Sequence, residues 1–136
     1  MVRNILAVIA GLVIGSVVNM GLVMLSPVVI PTPAGADTTT IEGLNASIHL
    51  FETKHFIFPF LAHALGTLVG ALVAALISVN RKLMVSLIVG CFFLVGGLSA
   101  AWMIPAPVWF EAVDILFAYI PMAWIGAKLA GAGRAR

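Results

Sequence analysis

Residues 56–79 read FIFPFLAHALGTLVGALVAALISV; Asn80-Arg81-Lys82 follows, and then 83–104 read LMVSLIVGCFFLVGGLSAAWMI. A helix crossing a bilayer core needs about 20 mainly apolar residues, and both runs meet that length. The polar link between them is short enough to force a direct return, so the two helices should pair antiparallel. Membrane strands alternate apolar and polar residues over about ten positions, and these runs do not. Two more runs qualify on either side, from about Ile5 to Ile30 and from about Pro107 to Ala130. Pro31 and Pro33 follow the first, and Pro105 and Pro107 precede the last. Pro59 and Pro107 suit a first helical turn, where the missing N–H would go unbonded anyway. The expected fold is an all-α membrane protein, a single transmembrane domain over residues 1–136. Its form is an antiparallel four-transmembrane-helix bundle with spans at about 5–30, 56–79, 83–104 and 107–130. A short amphipathic helix is expected in the outer 31–55 loop.

Composition agrees. Of 136 residues, 62% are hydrophobic and 9% charged, against about 25% charged in soluble domains. Mean hydropathy is +1.19. Seven basic and five acidic side chains are too few to coat a soluble surface. A water-soluble globular protein, a disordered chain and a nucleic-acid binder are thereby excluded, and the lipid bilayer is the first partner. One cysteine excludes an internal disulfide and any dithiol redox motif.

Basic residues set the orientation. Arg3, Arg81, Lys82, Lys128, Arg134 and Arg136 fall on one side, and only Lys54 lies opposite. Asp37, Glu42, Glu52, Glu111 and Asp114 lie on or near that opposite side. The expected location is the cell (inner) membrane, multi-pass, with the N- and C-termini cytoplasmic and the 31–55 loop outside. Arg3, an apolar run and Ala34-Gly35-Ala36 also fit a secretory signal, but the run exceeds the usual 7–15 apolar residues. Asn19 sits inside it. We read a span.

In the loop, Thr39-x-x-Glu42 has capping-box spacing. Ile41, Leu44, Ile48 and Phe51 then share one helical face. This predicts a helix over 37–52, either covering loop backbone at the interface or acting as a lid. Ala62, Gly66, Gly70 and Ala74 form a stripe of small residues at every fourth position of the second span, and Gly11-x-x-x-Gly15 gives the first a shorter version. Such stripes let helix backbones approach closely in lipid. Packing within the chain is expected rather than a dimer.

Polar groups inside lipid are expensive and mark candidate sites. At a rise of 1.5 Å per residue, Asn19 lies about 12 Å inside Pro27, His63 about 10 Å below Phe56, and Asp114 about 10 Å below Pro107. Three helices thus bring polar groups to a similar depth in the outer half, where Gly96 and Gly97 leave room. Glu111 precedes Asp114 by one turn, and Thr67 follows His63 by one turn. Each also has a structural reading. Carboxylates favour a helix N-terminus, and Asn19 suits an interhelical hydrogen bond. Ligand or relay candidates are therefore Asn19, His63, Thr67, Glu111, Asp114 and Tyr119. Pro121 should kink the fourth span, with Tyr119 beside it in need of a hydroxyl partner.

Metal and covalent chemistry lack their residues. His49, Glu52, His55 and His63 offer ligand types, but a di-iron bundle needs two Glu-x-x-His pairs and two further glutamates. Only Glu52-x-x-His55 is present, in the loop. No metal ligand and no catalytic residue is assigned, and no cofactor is indicated. Cys91, between apolar neighbours, reads as an inert buried residue. Trp102, Trp109, Phe110, Phe56, Phe58 and Phe60 gather at the outer boundary as interface anchors.

FPFLAHALGTLVGALVAA (58–75) and PAPVWFEAVDILFAYIPMAWIGAKLA (105–130) resemble small bacterial four-span inner-membrane proteins of uncharacterised function. The resemblance covers the last three helices and implies no activity. Small multidrug exporters also have four spans but carry a carboxylate in the first, where this chain has only Asn19. Quinone-linked thiol oxidases need cysteine pairs, and Cys91 stands alone. The leading expectation is a non-enzymatic accessory or small-ligand-binding bundle, with a protein partner or a lipid-like ligand. The alternatives are a small transporter or channel with a His63–Asp114–Glu111 relay, and a membrane enzyme acting on lipid or quinone. The oligomeric state stays open.

Overall fold

The computed structural model describes residues 1–133. Arg134 and Arg136 of the basic set lie outside the described residues. Those described are helical, with no strand among them. Four segments are long and apolar enough to cross a membrane: Val2–Val29, Thr53–Ile77, Lys82–Met103 and Val108–Leu129. The helices are α1 (Val2–Val29), α2 (Ile41–Ser47), α3 (Ile57–Ile77), α4 (Lys82–Met103), α5 (Val108–Phe117) and α6 (Ile120–Leu129). Single 3₁₀ turns occupy Ile48–Leu50 and Thr53–Phe56.

α1 begins earlier than the apolar run predicts because its polar end finds partners. Arg3 Nε donates to the Ile77 carbonyl at 2.7 Å. The Ser78 hydroxyl donates to Asn4 Oδ1 at 3.0 Å. At the next turn, the Arg81 amide donates to Ser78 Oγ at 3.3 Å. Lys82 Nζ reaches the Ala130 carbonyl at 2.6 Å. Backbone carbonyls exposed at helix ends are thus met by basic side chains, as such termini require.

α3 is the central helix, with α1, α4 and α6 packed against it. Its buried residues are nearly all small: Ala62, Ala64, Gly66, Thr67, Gly70, Ala71, Ala74 and Ala75. The predicted stripe meets its complement on α1, whose only buried residues are Ala7, Gly11 and Gly15. A Cβ on Gly70 would sit 2.6 Å from the Gly11 carbonyl oxygen, and one on Gly15 2.6 Å from that of Gly66. The two backbones touch. Close approach multiplies dispersion contacts, which must supply the attraction where lipid removes the hydrophobic one. On another face of α3, a Cβ on Gly126 of α6 would lie 2.8 Å from the Leu68 carbonyl oxygen. Val85 and Val89 of α4 join Ala71, Ala74 and Ala123 in the buried core.

Three expectations are corrected. The loop helix is shorter than 37–52, and its cap is Thr40, not Thr39. Thr40 Oγ1 accepts from the Gly43 amide at 2.9 Å. The Thr39 hydroxyl and amide instead donate to Asp37 Oδ1, at 2.6 and 2.8 Å. Those bonds, the hydroxyl's first, hold the Asp37 carboxyl below the usual carboxylate range. The fourth span is broken rather than kinked. α5 ends at Phe117, Tyr119 leaves helical geometry at φ −117° and ψ −81°, and Pro121 sits in the first turn of α6. A proline there loses no bond it would have made, so breaking two residues earlier accommodates the ring. Finally, Cys91 is exposed on the helix surface, not buried.

Candidate functional site

The break in the fourth span builds the site. It turns Tyr119 inward until only 1% of the residue is exposed. The ring lies against Gly97 of α4, where any Cβ would collide with the phenol. Of the two adjacent glycines, Gly97 therefore seats Tyr119, while a Cβ on Gly96 would meet nothing within 4 Å. The seated hydroxyl donates to Asp114 Oδ2 at 2.7 Å. From α3, His63 Nδ1 lies 2.9 Å from both Asp114 oxygens. The His63 and Tyr119 rings are 5.7 Å apart at 31°. Two side chains, His63 and Tyr119, thus converge on one carboxylate that is 4% exposed.

Hydrogen-bond roles follow from the groups. A carboxylate can only accept, so Nδ1 carries a hydrogen, and in the neutral imidazole Nε2 then carries the lone pair. Nε2 has no partner among the described residues, yet it is not among the described buried polar atoms left unpaired. It is therefore accessible. The Asp114–His63 contact is the arrangement that fixes a histidine's tautomer and presents its other nitrogen.

A cavity of about 280 Å³ adjoins the cluster, lined by His63, Glu111, Asp114 and Gly97 among mostly apolar neighbours. Leu44, Ile48 and Phe51, three of the four residues on the predicted loop face, form one wall; Ile41 is exposed. Phe56 and Phe110, with centroids 4.9 Å apart, form part of another. They also line an apolar groove of about 230 Å³ with Ile57, Trp109 and Val113. Trp109 joins this aromatic group, 5.6 Å from Phe56 and edge-on. Trp102 stays outside it, 92% exposed.

The remaining candidates divide. Glu111 lines the cavity, and no hydrogen bond or ion pair to its side chain is found among the described residues. Lys54, the basic residue of that loop, pairs with Glu52 at 3.3 Å. Thr67 is fully buried with its hydroxyl unpaired. Asn19 packs against Gly66, whose Cβ would come 3.0 Å from that of Asn19; no hydrogen bond joins it to the cluster. Glu52 and His55 are spent on local structure. The Glu52 amide donates to His55 Nδ1 at 2.9 Å, and His55 Nε2 lies 3.2 Å from the Pro31 carbonyl oxygen. Among the described residues no three His, Cys, Asp or Glu side chains gather in a metal-binding group.

No protein family, curated protein or solved structure matches this chain. The site is interpreted from its own chemistry.

Sequence spacing placed His63 and Asp114 at one depth but missed the seat that Gly97 makes for Tyr119. Between its two readings of the loop helix, a cover or a lid, spacing alone did not choose; Leu44, Ile48 and Phe51 line the cavity. The Ile41–Leu44–Ile48–Phe51 face was the available signal. What it packed on was not readable.

Proposed function

We propose that this chain is a multi-pass inner-membrane protein, an antiparallel four-span bundle that binds a small ligand and performs no chemistry of its own. In this reading α2 is a short amphipathic helix of the outer loop, and both termini are cytoplasmic. The gathering of Arg3, Arg81, Lys82 and Lys128 at one end of the helices supports that orientation. With Cys91→Ala as background, a cysteine at Ala46 is expected to react with an impermeant maleimide on intact cells. One at Asn80 should react only after lysis. The reverse pattern would overturn the orientation.

The ligand-binding reading is carried by the cavity beside His63, Glu111 and Asp114. Its apolar walls with a few convergent polar groups are the usual make-up of a small-molecule site, and its volume falls near the lower end of the roughly 300–1,000 Å³ range. A diazirine-bearing octanol offered to the protein in nanodiscs should label the cavity walls saturably. Ala101→Phe, at a wall position, should abolish that labelling, and Ala100→Leu should weaken it. Labelling that does not saturate, or that both variants leave unchanged, would refute the reading.

A relay through the bundle is the second reading, favoured by the broken fourth span and the unpaired Thr67 hydroxyl. Broken helices commonly frame transporter sites. Below Thr67, however, the polar side chains are already engaged. The Ser86 hydroxyl donates to the Ala71 carbonyl at 2.9 Å, and Ser78 binds Asn4. A chain of exchangeable groups stops there.

A further inference from the structure

We propose that the cavity's ligand is an amphiphile with a primary ammonium head, seated between the Glu111 carboxylate and His63 Nε2. This rests on the ligand-binding reading above and names the class of ligand. The argument is one of elimination among the polar groups that line the cavity. His55 uses both ring nitrogens within the loop. Asp114 is already engaged by His63 and Tyr119 and is 4% exposed. That leaves Glu111 and His63 Nε2: an ionised carboxylate has no hydrogen to give, and Nε2 of the neutral imidazole accepts, because Asp114 holds the ring's hydrogen on Nδ1. With the imidazole neutral, no unengaged side-chain donor among the described residues lines the cavity.

A head that only accepts, such as a carboxylate, a phosphodiester or a quinone carbonyl, would find nothing to bond and would meet two carboxylates. A neutral alcohol can donate one hydrogen bond. An alkylammonium can donate three, and it brings the missing charge. Glu111 has no cation beside it among the described residues, and partly buried carboxylates favour a counter-ion. Charge complementarity therefore selects the ammonium over the alcohol. The apolar remainder fits the walls formed by Leu44, Ile48, Phe51 and Ile104. Phe56 and Phe110 line both the cavity and the groove beside Trp109, which suggests the groove as the way in from the bilayer. Parting that aromatic pair joins the two.

The test is competition against the diazirine-octanol label, with n-octylamine, n-octanol and octanoate, on the full chain in nanodiscs. Each competitor is compared with itself in wild type and in Glu111→Gln, so that partition into lipid cancels. Octylamine should need about tenfold more in Glu111→Gln, the scale of one charge-assisted hydrogen bond. Octanol should be unchanged, and octanoate should compete no better than octanol in wild type. Saturable labelling with octylamine indifferent to Glu111→Gln would overturn the ammonium head and leave the ligand site standing. So would octanoate competing best. Absence of saturable labelling would overturn both. Because the Glu111 side chain makes no bond among the described residues, Glu111→Gln should unfold at the wild-type temperature, which keeps a binding loss distinct from misfolding.

Discussion

Gly70→Leu is expected to separate α1 from α3 and cost about 3 kcal/mol or more, at the upper end of overpacking penalties. The new Cβ alone would fall 2.6 Å from the Gly11 carbonyl oxygen and 3.2 Å from the Gly15 Cα. Both are backbone atoms, so no rotamer change relieves the contact. Gly66→Leu should be damaging too but somewhat milder, since its Cβ meets Gly15 O at 2.9 Å rather than 2.6 Å, with the Asn19 Cβ at 3.0 Å. Gly21→Leu and Gly96→Leu supply the control. A Cβ at either meets nothing within 4 Å, and leucine is a better helix former than glycine by close to 1 kcal/mol. Thermal unfolding in detergent, followed by circular dichroism, should therefore show a large loss at Gly70 and none at Gly21 or Gly96. An unchanged midpoint for Gly70→Leu, or an equal fall for Gly21→Leu, would mean that the stripe does not carry the α1–α3 contact.

This prediction was within reach of the sequence because lipid narrows the ways helices can attract. Small residues at every fourth position have one common use there, and Ala62, Gly66, Gly70 and Ala74 are all buried. The same solvent erases other signals. In water, an apolar residue in a helix points to the core. In lipid, both faces are apolar, so nothing in the residues around Cys91 told its exposed position from a buried one. His63 and Asp114 were legible for the opposite reason: polar groups are costly there and tend to find each other. Pro121 announced an irregularity but not its form. Whether the helix bends or breaks depends on whether an inward-turned Tyr119 finds a seat, and that seat is Gly97, on another helix. The loop cap missed by one residue because Thr39 had a competing acceptor in Asp37, a contest that spacing rules do not resolve.

Asp114→Ala is expected to be the most damaging change in the polar cluster, at about 3 kcal/mol, because it strips a buried pair of one partner. Two donors lose their acceptor at once: His63 Nδ1 and the Tyr119 hydroxyl. Tyr119→Phe removes one bond to a charged acceptor and should cost about 1.5 kcal/mol. His63→Ala leaves Asp114 with the tyrosine alone. If these three act as one unit, their effects will not add. The double variant His63→Ala/Asp114→Ala should be less destabilised than the sum of the singles by about 1–3 kcal/mol, the range for residues in one hydrogen-bond network. Additivity to within about 0.5 kcal/mol would show the groups to be independent and undo the cluster. Glu111→Gln, one turn away on the same helix, should change stability by less than about 0.5 kcal/mol. Two carboxylates on one face of α5 would then have separate tasks. Asp114 is held by the fold and bonds the imidazole, while the Glu111 side chain is left to the ligand that we propose enters the cavity.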